Sequence, residues 1–145
     1  MNRFHRLNNL IGWLVFATAA SVYLLTIEPT ASFWDCSERI VASYKLEIPH
    51  PPGAPFFMLL GNFFTKFAGG NIQRVAVMVN IMSALAAAFT ILFLFWSITH
   101  LSRKLLLKQG GEPTLGQTVA ILGAGAIGAL AYTFSDSFWF SAVEG

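Results

Sequence analysis

Two short segments of this sequence carry residue types that commonly do chemistry. The first holds Asp35 and Glu38, and the second holds His50 among prolines. Asp35 and Glu38 are three residues apart, so on a helix both carboxylates point to one side. At a membrane surface the nearby apolar phase raises the pKa of a carboxyl group. The pair therefore predicts a general base with a supporting acid or a metal ligand.

The same carboxylates also fit a structural role. Residues 35–38, Asp-Cys-Ser-Glu, have the form of a capping box. In that arrangement Asp35 caps the helix, and Glu38 reaches back to the backbone N–H of the cap. The two roles are compatible, because a carboxylate at the start of a helix can also face a substrate.

His50 and nearby basic residues are candidates for binding a phosphate or a sugar. His50 lies in a proline-stiffened turn, although a lone histidine is more often a surface or hydrogen-bonded residue. Arg39, Lys45 and Lys66 could neutralise a phosphate at the level of the lipid headgroups. The alternative is that these side chains only extend to the interface, as basic residues commonly do.

The composition places these residues in a membrane protein. Hydrophobic residues make up 55% of the chain and charged residues 11%, and there are 14 phenylalanines. The net charge of +2 is scattered along the chain, which gives no support for nucleic-acid binding. Cys36 is the single cysteine, so an intramolecular disulfide and a cysteine-based zinc site are excluded.

Three uncharged stretches predict an all-α membrane domain covering residues 1–145. Residues 7–27, 75–101 and 115–135 are each long enough to cross the bilayer. The first is interpreted as a retained helix, because no small-residue cleavage site follows it. These spans leave an outer loop at residues 28–74, an inner loop at 102–114 and the start of a second outer loop at 136–145.

The orientation follows from basic residues near the ends of the predicted spans. Such residues concentrate on the cytoplasmic side of a membrane. The N-terminus and the short link after the second span carry most of them, and we therefore predict that both are cytoplasmic. The residues are Arg3, Arg6, Arg103, Lys104 and Lys108.

The long outer loop is predicted to contain two helices lying along the membrane surface. Residues 36–48 have the apolar spacing of an amphipathic helix, which the prolines at 49, 51, 52 and 55 would end. Residues 56–67 are rich in phenylalanine but too short to span, so they predict an interfacial or re-entrant helix. Trp34, Trp96 and Trp139 are expected to anchor near the interfaces.

The third span contains a pattern that resembles a dinucleotide-binding motif. Residues 119–128 match G-x-G-x-x-G, but two spans precede the motif and too few residues follow it for a Rossmann domain. We favour helix packing, because small residues recur every four positions and would let another helix approach closely. They are Gly116, Ala120, Ala124 and Gly128.

Three motifs resemble a bacterial multi-pass membrane family that is similar to GT-C glycosyltransferases and eukaryotic protein O-mannosyltransferases. They are P-T-A-S-F-W-D-C-S-E at residues 29–38, H-P-P-G-A-P at 50–55 and F-W-F-S-A-V-E at 138–144. The resemblance implies the N-terminal part of a GT-C fold, with Asp35 as the catalytic acidic residue and Glu38 and His50 as its neighbours. Glu144 matches a second acidic position that such enzymes often place at the start of their second outer loop.

The resemblance also implies an enzyme of the inner membrane that takes a sugar from a polyprenyl-phosphate carrier. The sugar would pass to a hydroxyl of a protein or glycan on the non-cytoplasmic face, with basic side chains or a divalent metal stabilising the leaving phosphate. GT-C proteins have many more spanning helices than three, so the chain is expected to need further helices for activity. The alternative is a non-enzymatic membrane scaffold assembled through the small residues of the third span.

Overall fold

The computed structural model describes residues 3–32, 35–51, 53–107 and 111–144. Six α-helices lie in these ranges, which contain no strand: α1 (Arg3–Leu25), α2 (Cys36–Lys45), α3 (Pro55–Thr65), α4 (Val75–Leu106), α5 (Leu115–Thr133) and α6 (Asp136–Val143). The expectations for Phe33, Trp34, Pro52 and Lys108 lie outside the described residues.

Three of the helices are long and apolar enough to cross a membrane, as the sequence predicted. They are α1, α4 with the short 3-10 turn before it, and α5. The helices do not end where the uncharged stretches end: α1 begins at Arg3, and α4 continues to Leu106. Basic residues are favourable in the last turn of a helix, so Arg103 and Lys104 extend α4 instead of ending it.

The first compact unit contains Met1–Ser21 and Ala87–Phe138. Within it, α1 packs closely on α4, because a Cβ atom on Gly12 would lie 2.7 Å from Trp96 Nε1. The Phe16 and Phe89 rings add an aromatic contact with their centroids 4.7 Å apart. The absence of a side chain at Gly12 is therefore what brings these two apolar helices together.

Residues 119–128 lie entirely inside α5, so the dinucleotide-binding interpretation is excluded. Three members of the predicted face, Gly116, Ala120 and Ala124, are exposed, so packing through that part of the face remains a prediction. Packing against α4 uses a neighbouring face, on which a Cβ atom at Gly125 would lie 2.5 Å from Thr99 Cγ2. Gly128 is the member of the predicted face that does contact α4, close to Ile98.

The second compact unit contains Val22–Ala86 and Trp139–Gly145. Its apolar core joins Ile40 of α2 and Ala68 to residues of α4, which are Val75, Val79 and Met82. Of the apolar residues on which the amphipathic prediction for residues 36–48 rested, Ile40 enters this core, whereas Val41, Tyr44 and Ile48 are exposed. Helix α2 therefore packs on the first turns of α4, which is one of the helices long and apolar enough to span a membrane.

Helix α2 ends earlier than the sequence predicted. It stops at Lys45, and Leu46 adopts the left-handed conformation with φ 55° and ψ 43°. The Glu47 N–H then donates to the Ala42 carbonyl at 2.9 Å, which satisfies an end of the helix. The prolines from Pro49 onward therefore shape the turn after α2 and do not themselves end it.

Helix α3 crosses the end of α2 at very short range. The Asn62 amide donates to the Ser43 and Tyr44 carbonyls at 3.0 and 3.1 Å, which ties α3 to the last turn of α2. A Cβ atom on Gly61 would lie 2.5 Å from Ser43 Oγ, and Ser43 is fully buried. These contacts fasten the second half of α3 to the last turn of α2.

Substitution of Gly61 tests this close packing. We expect Gly61→Ala to destabilise the protein by about 1–3 kcal/mol, because the new methyl group overlaps Ser43 and a packed interface relaxes poorly. Gly123→Ala is the matched control. It also replaces a helical glycine, but a Cβ atom at this position meets nothing within 4 Å. Thermal unfolding in detergent should show a lower midpoint for Gly61→Ala alone; equal midpoints would contradict the packing.

Candidate functional site

The structure brings Asp35, Glu38 and His50 into one cluster. The Glu38 carboxylate accepts a hydrogen bond from the His50 backbone N–H at 2.7 Å, and its other oxygen lies 2.6 Å from His50 Nδ1. The opposite ring nitrogen, Nε2, is 3.7 Å from Asp35 Oδ2. The imidazole therefore lies between the two carboxylates, as their three-residue spacing and a nearby turn allow.

The turn that presents His50 owes its shape to proline and glycine. The Gly53 N–H donates to the His50 carbonyl at 3.1 Å, which closes a four-residue turn with Pro51 at its second position. Gly53 has a φ of 71°, which a residue with a side chain adopts only at a cost. The hydrogen bond between Gly53 and His50 thus helps to hold the histidine toward the first turn of α2.

The capping-box prediction is wrong. Asp35 occupies the N-cap position of α2, but its side chain makes no capping hydrogen bond. Both carboxylate oxygens of Glu38 are hydrogen-bonded to His50, so this side chain does not reach back to the backbone N–H of the cap. A neighbouring loop supplies stronger donors than the helix end, because a carboxylate bond to imidazole is charge-assisted. Asp35 is left exposed, with 58% of its side chain accessible.

The contact between Glu38 and His50 shifts the pKa of both groups. The hydrogen bond from the His50 backbone, and then that from its ring, lower the pKa of Glu38. The hydrogen bond to Glu38 raises the pKa of His50, with further contributions from the Glu38 and Asp35 charges. The contact with Glu38 therefore favours the protonated form of the His50 imidazole.

The pH dependence of this pair follows from the two directions. Because the pKa of His50 is raised on folding, its contribution to stability is present below the ordinary histidine value and is lost as the pH rises through the folded value. The lowered pKa of Glu38 gives a contribution that is present above its ordinary value and is lost as the pH falls through the folded value. The pair is intact between those limits.

Nuclear magnetic resonance of the imidazole tests this coupling directly. We expect His50 to titrate above an ordinary histidine, and Glu38→Gln to move that midpoint downward, because the amide offers no negative charge. A midpoint for His50 that is the same in both proteins would show that Glu38 does not hold the proton.

The other predicted site residues differ in their distance from this cluster. Arg39 lines a small pocket together with His50. Lys45 lies instead near Glu47, with its Nζ 3.8 Å from Oε1. Glu144 is close enough to contribute, after burial, to the raised pKa of the Cys36 thiol next to Asp35. The structure thus groups Arg39 with His50 and places the Glu144 charge near the start of α2.

Two sets of hydrogen bonds hold the chain before α2 in place, and the sequence analysis predicted neither of them. Asn80 is buried in α4, and its amide donates to the Glu28 and Thr30 carbonyls at 2.8 and 3.1 Å. The Glu28 N–H donates to the Val143 carbonyl at 3.1 Å, next to Glu144. An asparagine inside an otherwise apolar span was the available signal, because a buried amide needs partners.

The cluster also has ligand types that suit a divalent metal. One ligand atom from each of Asp35, Glu38 and His50 lies within 4.8 Å of the others. Since Glu38 already bonds Nδ1, a metal would be held by Asp35 and by His50 Nε2, with Glu38 orienting the ring in the manner of a carboxylate–histidine–metal triad. Such an ion would polarise a phosphate oxygen. It would compete with the proton on Nε2.

Together these features define an α-helical membrane protein with three candidate spans and an exposed acid–histidine cluster in the connection between the first two. Comparison with known proteins narrows this class. A family model described as the "Protein O-mannosyl-transferase TMEM260 N-terminal domain" matches residues 35–145, and the chain belongs to this family. The match begins at Asp35 and includes Glu38, His50 and Glu144.

Two proteins with names related to that of the family model are similar to the chain. It is 25% identical over 137 residues to "Protein O-mannosyl-transferase tmem260" of Dictyostelium discoideum, covering 91% of this chain and 14% of the relative. It is 37% identical over 89 residues to "Protein O-mannosyl-transferase TMEM260" of Mus musculus, covering 61% of this chain and 12% of the relative. Both relatives are eukaryotic, whereas the sequence resemblance was to a bacterial family. No solved structure matches significantly.

Proposed function

We propose that this chain is the N-terminal membrane part of a glycosyltransferase that moves a sugar, most simply mannose, from a polyprenyl-phosphate carrier to a hydroxyl group of a protein. The observation that carries the proposal is the exposed Asp35 carboxylate beside the Glu38–His50 pair, inside the region matched by the family. The relatives' names supply mannose and the transferase activity. The polyprenyl-phosphate donor and the GT-C fold rest on the sequence resemblance.

The reaction requires a base and a stabilised leaving group. Asp35 would take the proton of the acceptor hydroxyl as the hydroxyl oxygen forms a bond to C1 of the sugar. The bond between C1 and the phosphate oxygen breaks in the same step, and its electron pair leaves with the polyprenyl phosphate. Positive charge on His50 and Arg39 would stabilise that phosphate. Glu38 acts through His50 as a positioning residue.

The cluster would then lie on the non-cytoplasmic side of the membrane, with the N-terminus and the link between α4 and α5 in the cytoplasm. The basic residues at the end of α4 support this orientation, and in a bacterial cell the membrane would be the inner one. A membrane-impermeant maleimide should label Glu47→Cys in intact cells, in a Cys36→Ser background. Protection of that residue until the membrane is opened would reverse the assignment.

Donor specificity tests the proposed function. The full-length protein should transfer mannose to a serine or threonine hydroxyl from polyprenyl-phosphate mannose and not from GDP-mannose, because the proposed leaving group is a polyprenyl phosphate. Mass spectrometry of an acceptor domain would show the added hexose. Transfer from GDP-mannose in the absence of any lipid carrier would overturn the proposal.

The second candidate function is a membrane scaffold. One observation favours it: Gly116, Ala120 and Ala124 form an exposed face of small residues on α5, which would let a helix of another segment or subunit approach. A scaffold needs no base, so it predicts that the loss of the Asp35 charge has no effect on function. The two candidates are separated by the Asp35 substitution described below.

A further inference from the structure

We propose that a basic pocket at the C-terminal end of α4 binds the phosphate of an anionic phospholipid headgroup. The residues that line this pocket all belong to the first compact unit, so it is a different site from the cluster of Asp35, Glu38 and His50. The inference does not depend on sugar transfer. Under the proposed orientation, the bound lipid would belong to the cytoplasmic leaflet.

The pocket has the size and charge of a site for one small anionic group. Arg103, Lys104 and Leu107 line it from one side of the helix end, and Gly111 lines it from the chain that follows. Its volume is about 170 Å³, below the roughly 300 Å³ at which sites for drug-sized molecules begin. None of the described residues that line it is acidic, and Glu112 lines a separate cavity. A phosphate would therefore meet positive side chains and no carboxylate on these walls.

The Arg103 side chain is held in place by contacts that leave its charge uncompensated. Its Nη1 lies 3.3 Å from His5 Nε2, and its Nη2 donates to the Gly111 carbonyl at 3.4 Å. The guanidinium carbon lies 5.1 Å from the centre of the Phe4 ring, which is a cation–π contact. Within the described ranges, none of these contacts is with a carboxylate. A guanidinium has five N–H donors, so two hydrogen bonds leave others for a phosphate, which arginine commonly binds through two parallel bonds.

The position of the pocket favours a lipid phosphate over a dissolved anion. Phe4 and His5 lie in the first turn of α1 and Arg103 lies near the end of α4, and both helices are membrane-span candidates. The ends of such helices lie at the level of the lipid headgroups. Leu101 and Leu105, next in sequence to lining residues, are exposed, so the acyl chains of a bound lipid would have an apolar surface to cover. Basic pockets at the cytoplasmic ends of spanning helices bind anionic headgroups.

Membrane orientation alone is the competing explanation for basic residues at this end of α4. Retention on the cytoplasmic side requires positive charge but no particular side-chain geometry. Arg103, in contrast, is positioned by three separate contacts. The two explanations therefore differ in what they predict for Arg6, an exposed basic residue of α1 that does not line the pocket.

Lipid binding to the purified full-length protein in a neutral detergent tests the pocket. Native mass spectrometry during a titration with dioleoyl phosphatidylglycerol should show saturable binding, and dioleoyl phosphatidylcholine should not compete for it. Arg103→Gln should weaken the binding of phosphatidylglycerol about five- to ten-fold, because one positive charge and its parallel donors are lost. Arg6→Gln is the matched control, since it removes the same charge from the start of α1 without changing the pocket, and its affinity should stay close to that of the unmodified protein.

A second variant and a soluble competitor complete the test. Lys104→Gln should also weaken binding, and Lys104 lines the pocket without taking part in the contacts that position Arg103. Inorganic phosphate should not displace the lipid when the ionic strength is matched with chloride; displacement would assign the pocket to a dissolved anion and overturn the proposal. Equal effects of Arg103→Gln and Arg6→Gln, unchanged binding by Lys104→Gln, or equal binding of the two phospholipids would also overturn it.

Discussion

Asp35→Asn in the full-length protein is expected to lower sugar transfer by about 10²–10⁴-fold, the usual contribution of a general base. Asparagine keeps the size of the side chain but cannot accept the proton of the acceptor hydroxyl. The folded structure should be unaffected, since the Asp35 side chain makes no capping hydrogen bond and is exposed. Initial rates of transfer to an acceptor domain, at equal amounts of membrane-inserted protein, measure the effect.

The matched control for this substitution is Asp136→Asn. Asp136 lies in the first turn of α6, so it is also an aspartate at the start of a short helix, but it is not part of the cluster. We expect near-normal transfer from this variant. If Asp35→Asn retained transfer within about two-fold of the unmodified protein, the carboxylate would be dispensable and the scaffold function would be favoured.

His50→Gln is expected to lower transfer by about 10²-fold, the lower end of the effect of removing one electrostatic contact to a developing charge. Glutamine is polar but never cationic, so the leaving phosphate loses one positive partner. We also expect the rate of the unmodified protein to fall at alkaline pH as His50 loses its proton, and this variant should lack that fall. A pH profile of the initial rate measures both effects.

Glu38→Gln gives the companion result. Because Glu38 raises the pKa of His50, the alkaline fall in rate should move to lower pH in this variant and should not disappear. His100→Gln is the control, since His100 lies at the far end of α4 and outside the cluster. An unchanged pH profile in both His50→Gln and Glu38→Gln would show that the imidazolium has no part in the reaction.

The membrane fold could be predicted because its main cause is local. A run of uncharged residues long enough to cross the bilayer must form a helix, and three such runs became α1, α4 and α5. Helix ends were less predictable, because they depend on single contacts. Helix α2 ends before the first proline, because Leu46 adopts a left-handed conformation. Helix α4 continues through Arg103, because a basic side chain is favourable in the last turn of a helix.

The placement of Asp35 and Glu38 on one side of a helix could be predicted, but the hydrogen bonds within the cluster could not. The spacing of Asp35 and Glu38 placed both carboxylates on one side of a helix. The capping box does not form, because the Glu38 carboxylate is hydrogen-bonded to His50, twelve residues further along the chain. A contact between a helix and a later turn has no periodic signal in one sequence. The roles of Gly61 and Asn62, which fix that turn, were missed for the same reason.

The small residues of α5 show the same limit for helix packing. Their four-residue recurrence correctly indicated a helix with a surface for close approach. The face that contacts α4 is nevertheless centred on Gly125, one position away from Ala124, where Thr99 and Phe95 lie too close to leave room for a side chain. A repeat of small residues identifies candidate faces, whereas the shape of the partner helix selects one.

The most direct test of the central claim is a single-turnover measurement on purified full-length protein loaded with polyprenyl-phosphate mannose. The unmodified protein and Asp136→Asn should each give a rapid burst of mannosylated acceptor on mixing. Asp35→Asn should bind the donor equally well and give no burst. A burst of equal size from Asp35→Asn, with the donor bound to the same extent, would contradict the assignment of Asp35 as the base.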